Sequence, residues 1–363
     1  MPLICFPIFA TLGQDILRKF GDTTENNKGQ KMNLRNIPKV ELHRHLEGAV
    51  RFSTLIELAK NKGLDLPYND YKKLHDTLVC HSPMKDLKSV LDKFFTTQSL
   101  LDSEEVWERL GYEACEDAFN EGIVLLELRY SPSFSALNHP KMTFEKIHRS
   151  IMKGVERAQK IYPMAVVMIG ILGRIQPVPE AAKSADFIIE NKDSFVAIDL
   201  ADNEEGFDCK PFAPLFEKAK EAGLRITVHS GEVPGGEFFV KDAIEYLHAE
   251  RIGHGVQIYK SPEMINFVKE RNVTLELCPI SNKLTNAIPD LAKHPLKFLM
   301  EQGVRVSINS DDPGIFGTTI LDDYEVLKDL HGFKLADFNR CNQMAYEASF
   351  IPESVKSKFW KSL

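Results

Sequence analysis

The chain has 363 residues, of which 43% are hydrophobic and 27% are charged, a balance that excludes disordered, collagen-like and coiled-coil proteins and leaves enough apolar residues for a large core. Its 45 Lys and Arg against 52 Asp and Glu give a formal net charge of −7, which argues against nucleic acid or an anionic membrane as the main partner. We therefore expect a small-molecule partner, and a monomer or a weak homo-oligomer.

Residues 1–31 differ in composition from the rest of the chain. The apolar stretch at 2–12 is far shorter than the roughly 20 residues needed to cross a bilayer, and no basic residue precedes it as in a signal peptide. The segment 21–30 is polar and has no apolar period. We interpret residues 1–31 as an extension that activity does not require: a docking helix, a tail, or sequence upstream of a true start at Met32.

The six cysteines are scattered along the chain, with no CxxC pair and no regular spacing. This pattern is typical of reduced thiols in a cytosolic enzyme rather than of a disulfide framework. We therefore expect a cytoplasmic protein that has no membrane partner.

Eight short apolar runs rich in β-branched residues recur from residue 38 onward, separated by longer stretches with helical periodicity. Such runs are typical of a parallel sheet that helices cover on both faces. We predict an α/β fold, a (β/α)8 TIM barrel forming one domain over 32–363, with a long helical insertion after strand 1 that acts as a lid at about 47–121. The predicted strands are 40–46, 122–130, 164–172, 195–200, 224–229, 251–258, 273–277 and 304–308; the helical stretches include 52–61, 87–101, 180–189, 212–223, 263–271 and 291–302.

The first predicted strand contains two histidines, His43 and His45, two positions apart. Because successive side chains of a strand alternate between its faces, both imidazoles project from the same face. Two neutral imidazoles on one face are an arrangement suited to zinc and related ions. The first strand therefore predicts part of a metal site.

Three further strands end in, or run into, histidine or carboxylate side chains that could bind a metal ion or transfer protons. His229 closes the fifth strand and Glu232 follows it, His254 lies between two glycines in the sixth, and the eighth runs into Asp311 and Asp312. Each feature alone has an ordinary explanation as a core histidine or a turn. In a barrel, however, the carboxyl ends of all the strands meet at the face that carries the active site, so we predict that these side chains converge.

Taken together, the motifs resemble the adenosine and AMP deaminase family of metal-dependent amidohydrolases, over nearly everything from residue 37 to the end. The family's marks appear here in order, as PKVELHRHLEG at 38–48, HSGE at 229–232, RIGHG at 251–255, CPISN at 278–282 and NSDDP at 309–313. The resemblance implies one catalytic zinc ion per chain with a water or hydroxide as a further ligand. Its implied protein ligands are His43, His45, His229 and Asp311.

The resemblance also implies how an adenine ring is deaminated. The hydroxide attacks C6, His254 orients the water and accepts its proton, and Glu232 is the acid that protonates N1. Asp312 contacts N7, and His45 lies at the substrate as well as at the metal. Collapse of the tetrahedral intermediate releases ammonia and leaves a 6-oxo purine.

Two positions that face the sugar depart from the family's pattern: Glu47 stands where many members have Asp, and Asp202 where Gly is common. We expect both to contact the substrate, with the apolar side chains of Phe94 and Phe95 over the sugar. Adenosine, converted to inosine, is the expected substrate. The alternative is 6-aminodeoxyfutalosine, an adenine nucleoside with an aryl ketone at its 5′ end, whose deaminases share residues near Glu47; free adenine is a weaker match. Phosphorylated substrates are least expected because Glu47 and Asp202 would repel a phosphate.

Two rival interpretations are a barrel that only binds its ligand and a two-metal hydrolase. The first would lose a metal ligand, Glu232 or His254, and none is lost. The second needs a carboxylated lysine at the end of the fourth strand, where 199–202 contains no lysine. Cytidine-type zinc deaminases are excluded because the Pro-Cys-x-x-Cys signature is missing. Three histidines and an aspartate would also accept cobalt or iron.

Overall fold

The computed structural model describes residues 32–83 and 87–360. It contains one eight-stranded sheet in which the strands follow chain order and every neighbouring pair is parallel. A parallel bridge between Arg44 and Asp311 brings the first strand beside the chain that leaves the last one. The sheet is thus a nearly closed α/β barrel, and the predicted TIM-barrel fold is confirmed. Its strands are β1 (Lys39–His45), β2 (Ile123–Tyr130), β3 (Ala165–Gly173), β4 (Phe195–Ala201), β5 (Arg225–Ser230), β6 (Arg251–His254), β7 (Thr274–Leu277) and β8 (Arg305–Ile308).

Helices surround the sheet and fill the long connection between β1 and β2. The strands need this cover because both of their faces are buried, as in β2, where all eight residues are buried. The helices are α1 (Phe52–Asn61), α2 (Tyr71–Leu78), α3 (Leu87–Gln98), α4 (Glu104–Asn120), α5 (Pro132–Ser135), α6 (Phe144–Gln159), α7 (Val178–Glu190), α8 (Ala213–Glu221), α9 (Phe239–Leu247), α10 (Pro262–Glu270), α11 (Pro279–Leu284), α12 (Leu296–Glu301), α13 (Pro313–Phe316), α14 (Ile320–His331), α15 (Leu335–Ala348) and α16 (Glu353–Phe359).

Two predicted elements are shorter than expected. The sixth strand, predicted at 251–258, ends at His254 because His254 and Gly255 have φ values of 59° and 65°, which turn the chain out of the sheet. The helix predicted at 291–302 is divided into a 3-10 turn (Leu291–Lys293) and α12. Pro295 lies between the two parts and has no N–H to continue a helical ladder.

The last helix of the β1–β2 connection, α4, packs closely on α6. A Cβ at Gly154 would lie 2.0 Å from the Glu108 carbonyl oxygen, and one at Gly111 would lie 2.6 Å from that of Ile151. Glycines are therefore needed where the two helices touch. α3 instead brings Phe94 and Phe95 to a cavity at the carboxyl ends of the strands.

Five cysteines, at 80, 115, 209, 278 and 341, are buried and free. Cys5 and the predicted extension, residues 1–31, lie outside the described residues. Within the described part of the chain, the longest and most apolar helices still fall short of what a membrane crossing requires.

Candidate active site

Three histidines and one aspartate meet at the carboxyl ends of the barrel strands. His43 and His45 come from β1, His229 from β5, and Asp311 follows β8. One ligand atom from each residue lies within 4.8 Å of all the others. The Nε2 atoms of His43 and His45 lie 3.3 and 3.2 Å from Asp311 Oδ1, and those of His45 and His229 are 3.1 Å apart. We call this group the His3Asp cluster.

The polar atoms of the His3Asp cluster fit a bound cation. His43 Nε2 is fully buried yet makes no hydrogen bond, because its approach to Asp311 Oδ1 lacks hydrogen-bond geometry. Leaving such an atom unpaired in a protein interior costs free energy unless something else satisfies it. Three imidazole nitrogens and one carboxylate are a donor set that zinc and related ions accept. These four residues could therefore hold one metal ion.

Two buried carboxylates orient the histidines of the cluster. Glu276 Oε2 lies 2.7 Å from His43 Nδ1, and Asp199 Oδ2 lies 3.0 Å from His229 Nδ1. Each carboxylate accepts the Nδ1 proton, which leaves the Nε2 lone pair free to face an ion. Arg129 joins both carboxylates at 2.8 Å. Although burial alone would raise the pKa of Glu276, the guanidinium of Arg129 helps to hold it well below its usual range.

Asp311 uses its two carboxylate oxygens for different partners. Oδ1 faces the histidines of β1, whereas Oδ2 accepts a 2.6 Å hydrogen bond from Ser281 Oγ. The backbone of Asp311 is left-handed, with φ of 64°; its N–H donates to the carbonyl of His43, and its carbonyl accepts from the N–H of His45, on either side of Arg44 in β1. The contact between β1 and the end of β8 thus sets the position of this carboxylate. Ser281, which belongs to the CPISN motif, thus holds one oxygen of a cluster residue.

Glu232 lies beside the cluster, on the loop that follows β5. Its Oε1 accepts a 2.9 Å hydrogen bond from Thr285 Oγ1, and its Oε2 lies 3.6 Å from His254 Nε2. Burial and the nearby charge of Asp311 raise the pKa of Glu232 to about 7. A carboxyl group with this pKa is present in its protonated form near neutral pH, as an acid catalyst requires.

A second acid, Glu204, holds the loop that carries Glu232. Its Oε2 accepts from the backbone N–H of Gly231 at 2.9 Å, and its Oε1 accepts from those of Glu232 and Val233 at 2.7 and 2.8 Å. The buried Arg174 donates to the carbonyl of His229 on the same strand end. Neither contact was predicted from the sequence, because Arg174 follows β3, Glu204 follows β4, and the backbone that they hold lies at the end of β5. They fix the backbone on either side of the turn between His229 and Glu232.

His254 closes the site on the side of β6. Its Nε2 lies 3.8 Å from Asp311 Oδ2, and burial lowers the pKa of its ring, which is therefore neutral near pH 7. The preceding Gly253 makes room for the cluster, because a Cβ there would lie 2.9 Å from His43 Cε1. His254, Cys278 and Asp311 also lie close enough together to form a second possible ligand set that overlaps the first.

The carboxyl group of Asp312 lies against Gly48. A Cβ on Gly48 would stand 1.8 Å from Asp312 Oδ1, so only glycine fits there. Burial and the charge of Asp311 raise the pKa of Asp312 well above its usual range. A protonated Asp312 can donate a hydrogen bond, which is what a purine N7, an acceptor, would need.

Two adjoining cavities reach the site. The inner one, of about 100 Å³, is lined by His45, Glu232, His254, Asp311 and Asp312. The outer one, of about 220 Å³, shares His45, Phe94, Ala201 and Asp202 with the inner one. We call the outer cavity the apolar chamber because its walls are mostly hydrophobic; they include Phe94, Phe95, Phe134, Leu137, Ile171 and Ile175.

The two residues that depart from the family's pattern both line the apolar chamber. Glu47 is buried, and its Oε1 accepts hydrogen bonds from Ser131 N at 2.9 Å and Ser135 Oγ at 3.0 Å. Asp202 has φ of 88°, a conformation that favours glycine, and its Oδ1 accepts from Asn203 N at 2.7 Å. The backbone conformation explains why glycine suits this position.

Comparison with known proteins adds a family and several relatives. The family model described as "Adenosine deaminase" matches residues 38–363. An adenosine deaminase of Clostridium perfringens is 35% identical over 338 residues, which cover 92% of this chain and 99% of that protein. Adenine deaminase from Arthrobacter aurescens has a similar structure, with a TM-score of 0.82, 26% identity, and coverage of 89% and 96%. The structure of the N6-methyl-AMP deaminase of Arabidopsis thaliana is also similar, with a TM-score of 0.79 and 25% identity; the match covers 90% of this chain and 96% of that one.

Proposed function

This chain belongs to the adenosine deaminase family, and from that premise we propose that it converts adenosine to inosine with a bound zinc ion and releases ammonia. Membership makes it a hydrolase that acts on the C–N bonds of adenine compounds. The observation that carries the proposal is the position of Glu232, an acid with a pKa raised to about 7, in the cavity that the His3Asp cluster opens into.

Zinc is the ion that we propose for the His3Asp cluster, held by His43, His45, His229 and Asp311. Buried and carboxylate-oriented imidazoles are the ligands that zinc takes in hydrolytic sites. A bound zinc ion lowers the pKa of water from 15.7 toward about 7 and so provides a nucleophile at neutral pH.

The residues around the cluster account for every proton in the reaction. One proton of the attacking water passes to a base, for which His254 and Asp311 are the two candidates, and the oxygen bonds to C6. Glu232 protonates N1 at the same time. The base then gives its proton to the amino nitrogen, the C6–N bond breaks, and ammonia leaves. Glu232 recovers a proton from the C6 hydroxyl, which becomes the 6-oxo group.

The purine would be held by groups that match its edge. N7 is an acceptor and would face Asp312, whose raised pKa favours the protonated, hydrogen-bond-donating form and whose Oδ1 is buried with no hydrogen-bond partner among the described residues. The backbone N–H of Asp202, at the shared wall of the two cavities, is suited to N3. The ribose would then extend into the apolar chamber toward Glu47.

A nucleoside with an apolar 5′ substituent, such as 6-aminodeoxyfutalosine, is the second candidate substrate. The apolar chamber favours it, because six large hydrophobic side chains line a space that a 5′-hydroxyl alone would leave empty. No Lys or Arg side chain lines this chamber in the part of the chain that the structure describes. A 5′-phosphate would therefore meet Glu47 without a compensating cation.

The experiment is a comparison of kcat/KM for adenosine, 5′-methylthioadenosine, 6-aminodeoxyfutalosine and adenine with the metal-loaded protein. We expect turnover of nucleosides, with adenosine among the good substrates. Higher kcat/KM for a 5′-substituted nucleoside would select the second candidate, and turnover of adenine alone would overturn the nucleoside assignment. As a matched control, Phe134→Ser should lower kcat/KM for the 5′-substituted nucleosides more than for adenine.

A further inference from the structure

A buried chain of hydrogen bonds runs from the backbone of α12 to His254. Leu296 N lies 3.3 Å from His294 Nδ1. His294 Nε2 lies 3.1 Å from Asn282 Oδ1, and Asn282 Nδ2 lies 3.1 Å from His254 Nδ1. His254, Asn282 and His294 are each at most 3% exposed, so water does not compete for these bonds.

The direction of every bond in this chain follows from its first member. A backbone N–H only donates, so His294 Nδ1 must accept from Leu296. Burial lowers the pKa of His294 to about 3, and a neutral imidazole carries one proton, which must then be on Nε2. His294 therefore donates to Asn282 Oδ1, and the amide of Asn282 is oriented with Nδ2 toward His254.

The orientation of Asn282 decides which nitrogen of His254 carries the proton. An amide nitrogen only donates, so His254 Nδ1 accepts and the proton of the neutral ring lies on Nε2. That nitrogen faces two carboxylate oxygens, Glu232 Oε2 at 3.6 Å and Asp311 Oδ2 at 3.8 Å. An N–H at this place points into the space where the water would react, and a nitrogen that carries a proton cannot be a metal ligand or accept a further proton.

We propose that Asn282 and His294 are positioning residues that hold His254 with Nδ1 as an acceptor and the ring proton on Nε2, so that His254 orients the attacking oxygen by donating a hydrogen bond to it. The inference rests on the proposed function and assigns His254 an orienting role within it.

The first test is Asn282→Asp, which replaces the donor toward His254 by an acceptor. A carboxylate at this position would hold the proton on His254 Nδ1 and turn the lone pair of Nε2 toward the site. We expect kcat to fall by about 10²–10⁴-fold, as when a catalytic histidine is held in the wrong tautomer, while KM changes little. Unchanged kcat in a folded, metal-loaded variant would overturn the proposal.

A matched pair at position 294 separates the tautomer effect from a loss of packing. His294→Gln keeps an N–H that can donate to Asn282 Oδ1 and should retain most of the activity. His294→Leu fills the space without a donor, lets the amide of Asn282 turn over, and should lower kcat. Equal kcat in the two variants would contradict the proposal, and this comparison stands even where Asn282→Asp fails to fold.

Nitrogen-15 NMR of the metal-loaded protein, with labelled histidine, measures the tautomer directly. The chemical shift of a ring nitrogen shows whether it is protonated, and the signals of His254 are assigned by their loss in His254→Gln. We expect a protonated Nε2 and a bare Nδ1 in the wild type, and the reverse in Asn282→Asp. A bare Nε2 in the wild type would overturn the inference alone, whereas absence of nucleoside turnover would overturn the proposed function alone.

Discussion

Gly48→Ala is the substitution for which the structure gives the sharpest geometric expectation. The new Cβ would stand 1.8 Å from Asp312 Oδ1 and 2.6 Å from its Cγ, whereas non-bonded atoms settle at about 3.5 Å. The backbone of Gly48 does not have a positive φ, so alanine itself is not strained there. Relief must therefore come from a shift of the Asp312 carboxyl by roughly 1.5 Å.

This displacement should appear in catalysis on adenosine. A misplacement of about 1 Å at a reacting group can cost about 10²-fold in rate, so we expect kcat/KM to fall by about 10²–10³-fold. The assay is the absorbance change that accompanies conversion of adenosine to inosine, together with the melting temperature and the metal content of the variant. Gly63→Ala, where a new Cβ would meet no atom within 4 Å, is the control; because Gly63 has φ of 66°, it should lower the melting temperature slightly and leave kcat/KM unchanged.

The substrate 7-deazaadenosine tests the cause of the loss. It has a C–H group in place of N7 and cannot accept a hydrogen bond from Asp312. We expect Gly48→Ala to lower kcat/KM for 7-deazaadenosine much less than for adenosine. The same loss on both substrates, or wild-type activity of Gly48→Ala on adenosine, would refute the role of Asp312 at N7.

Three further outcomes follow from the same account. Thr285→Val removes the hydrogen bond that favours charged Glu232 and so raises the pKa of Glu232 above about 7. Because the acid must be protonated, the alkaline fall of kcat/KM should move to higher pH by about one unit. Thr285→Ser should keep the wild-type pH profile, and a shift to lower pH in Thr285→Val would be inconsistent with Glu232 as the acid. Removal of the metal by a chelator should abolish turnover and zinc should restore it; full activity of metal-free protein would exclude a catalytic ion. Deletion of residues 1–31 should leave kcat/KM unchanged, because the family match begins at residue 38, and a folded but inactive truncated protein would contradict this.

The sequence was sufficient to predict the groups that converge at the strand ends. The alternation of β1 placed His43 and His45 on one face, and the barrel geometry brought the ends of β5, β6 and β8 to the same place. His229, His254 and Asp311 consequently lie together in the structure. These predictions succeeded because they depend on strand periodicity and on one topological rule.

The residues that orient these groups could not be predicted in the same way. His43 and Glu276 are 233 positions apart, and the order of the strands alone does not say which side chains meet across the barrel interior. A glutamate inside the short apolar strand Thr274–Leu277 was a signal that a buried charge needs a partner. Asn282 and His294 gave no comparable signal, because their hydrogen bonds join two segments that follow β7 to the end of β6.

The most direct test of the central claim is the turnover of adenosine by metal-loaded wild-type protein and by Glu232→Gln. We expect the wild type to release one ammonia for each inosine formed. Glutamine keeps the shape of the side chain but cannot supply the acid proton, so kcat should fall by about 10²–10⁴-fold while the metal content stays unchanged. Equal turnover in the two proteins, or none in the metal-loaded wild type, would contradict deamination driven by Glu232 beside the His3Asp cluster.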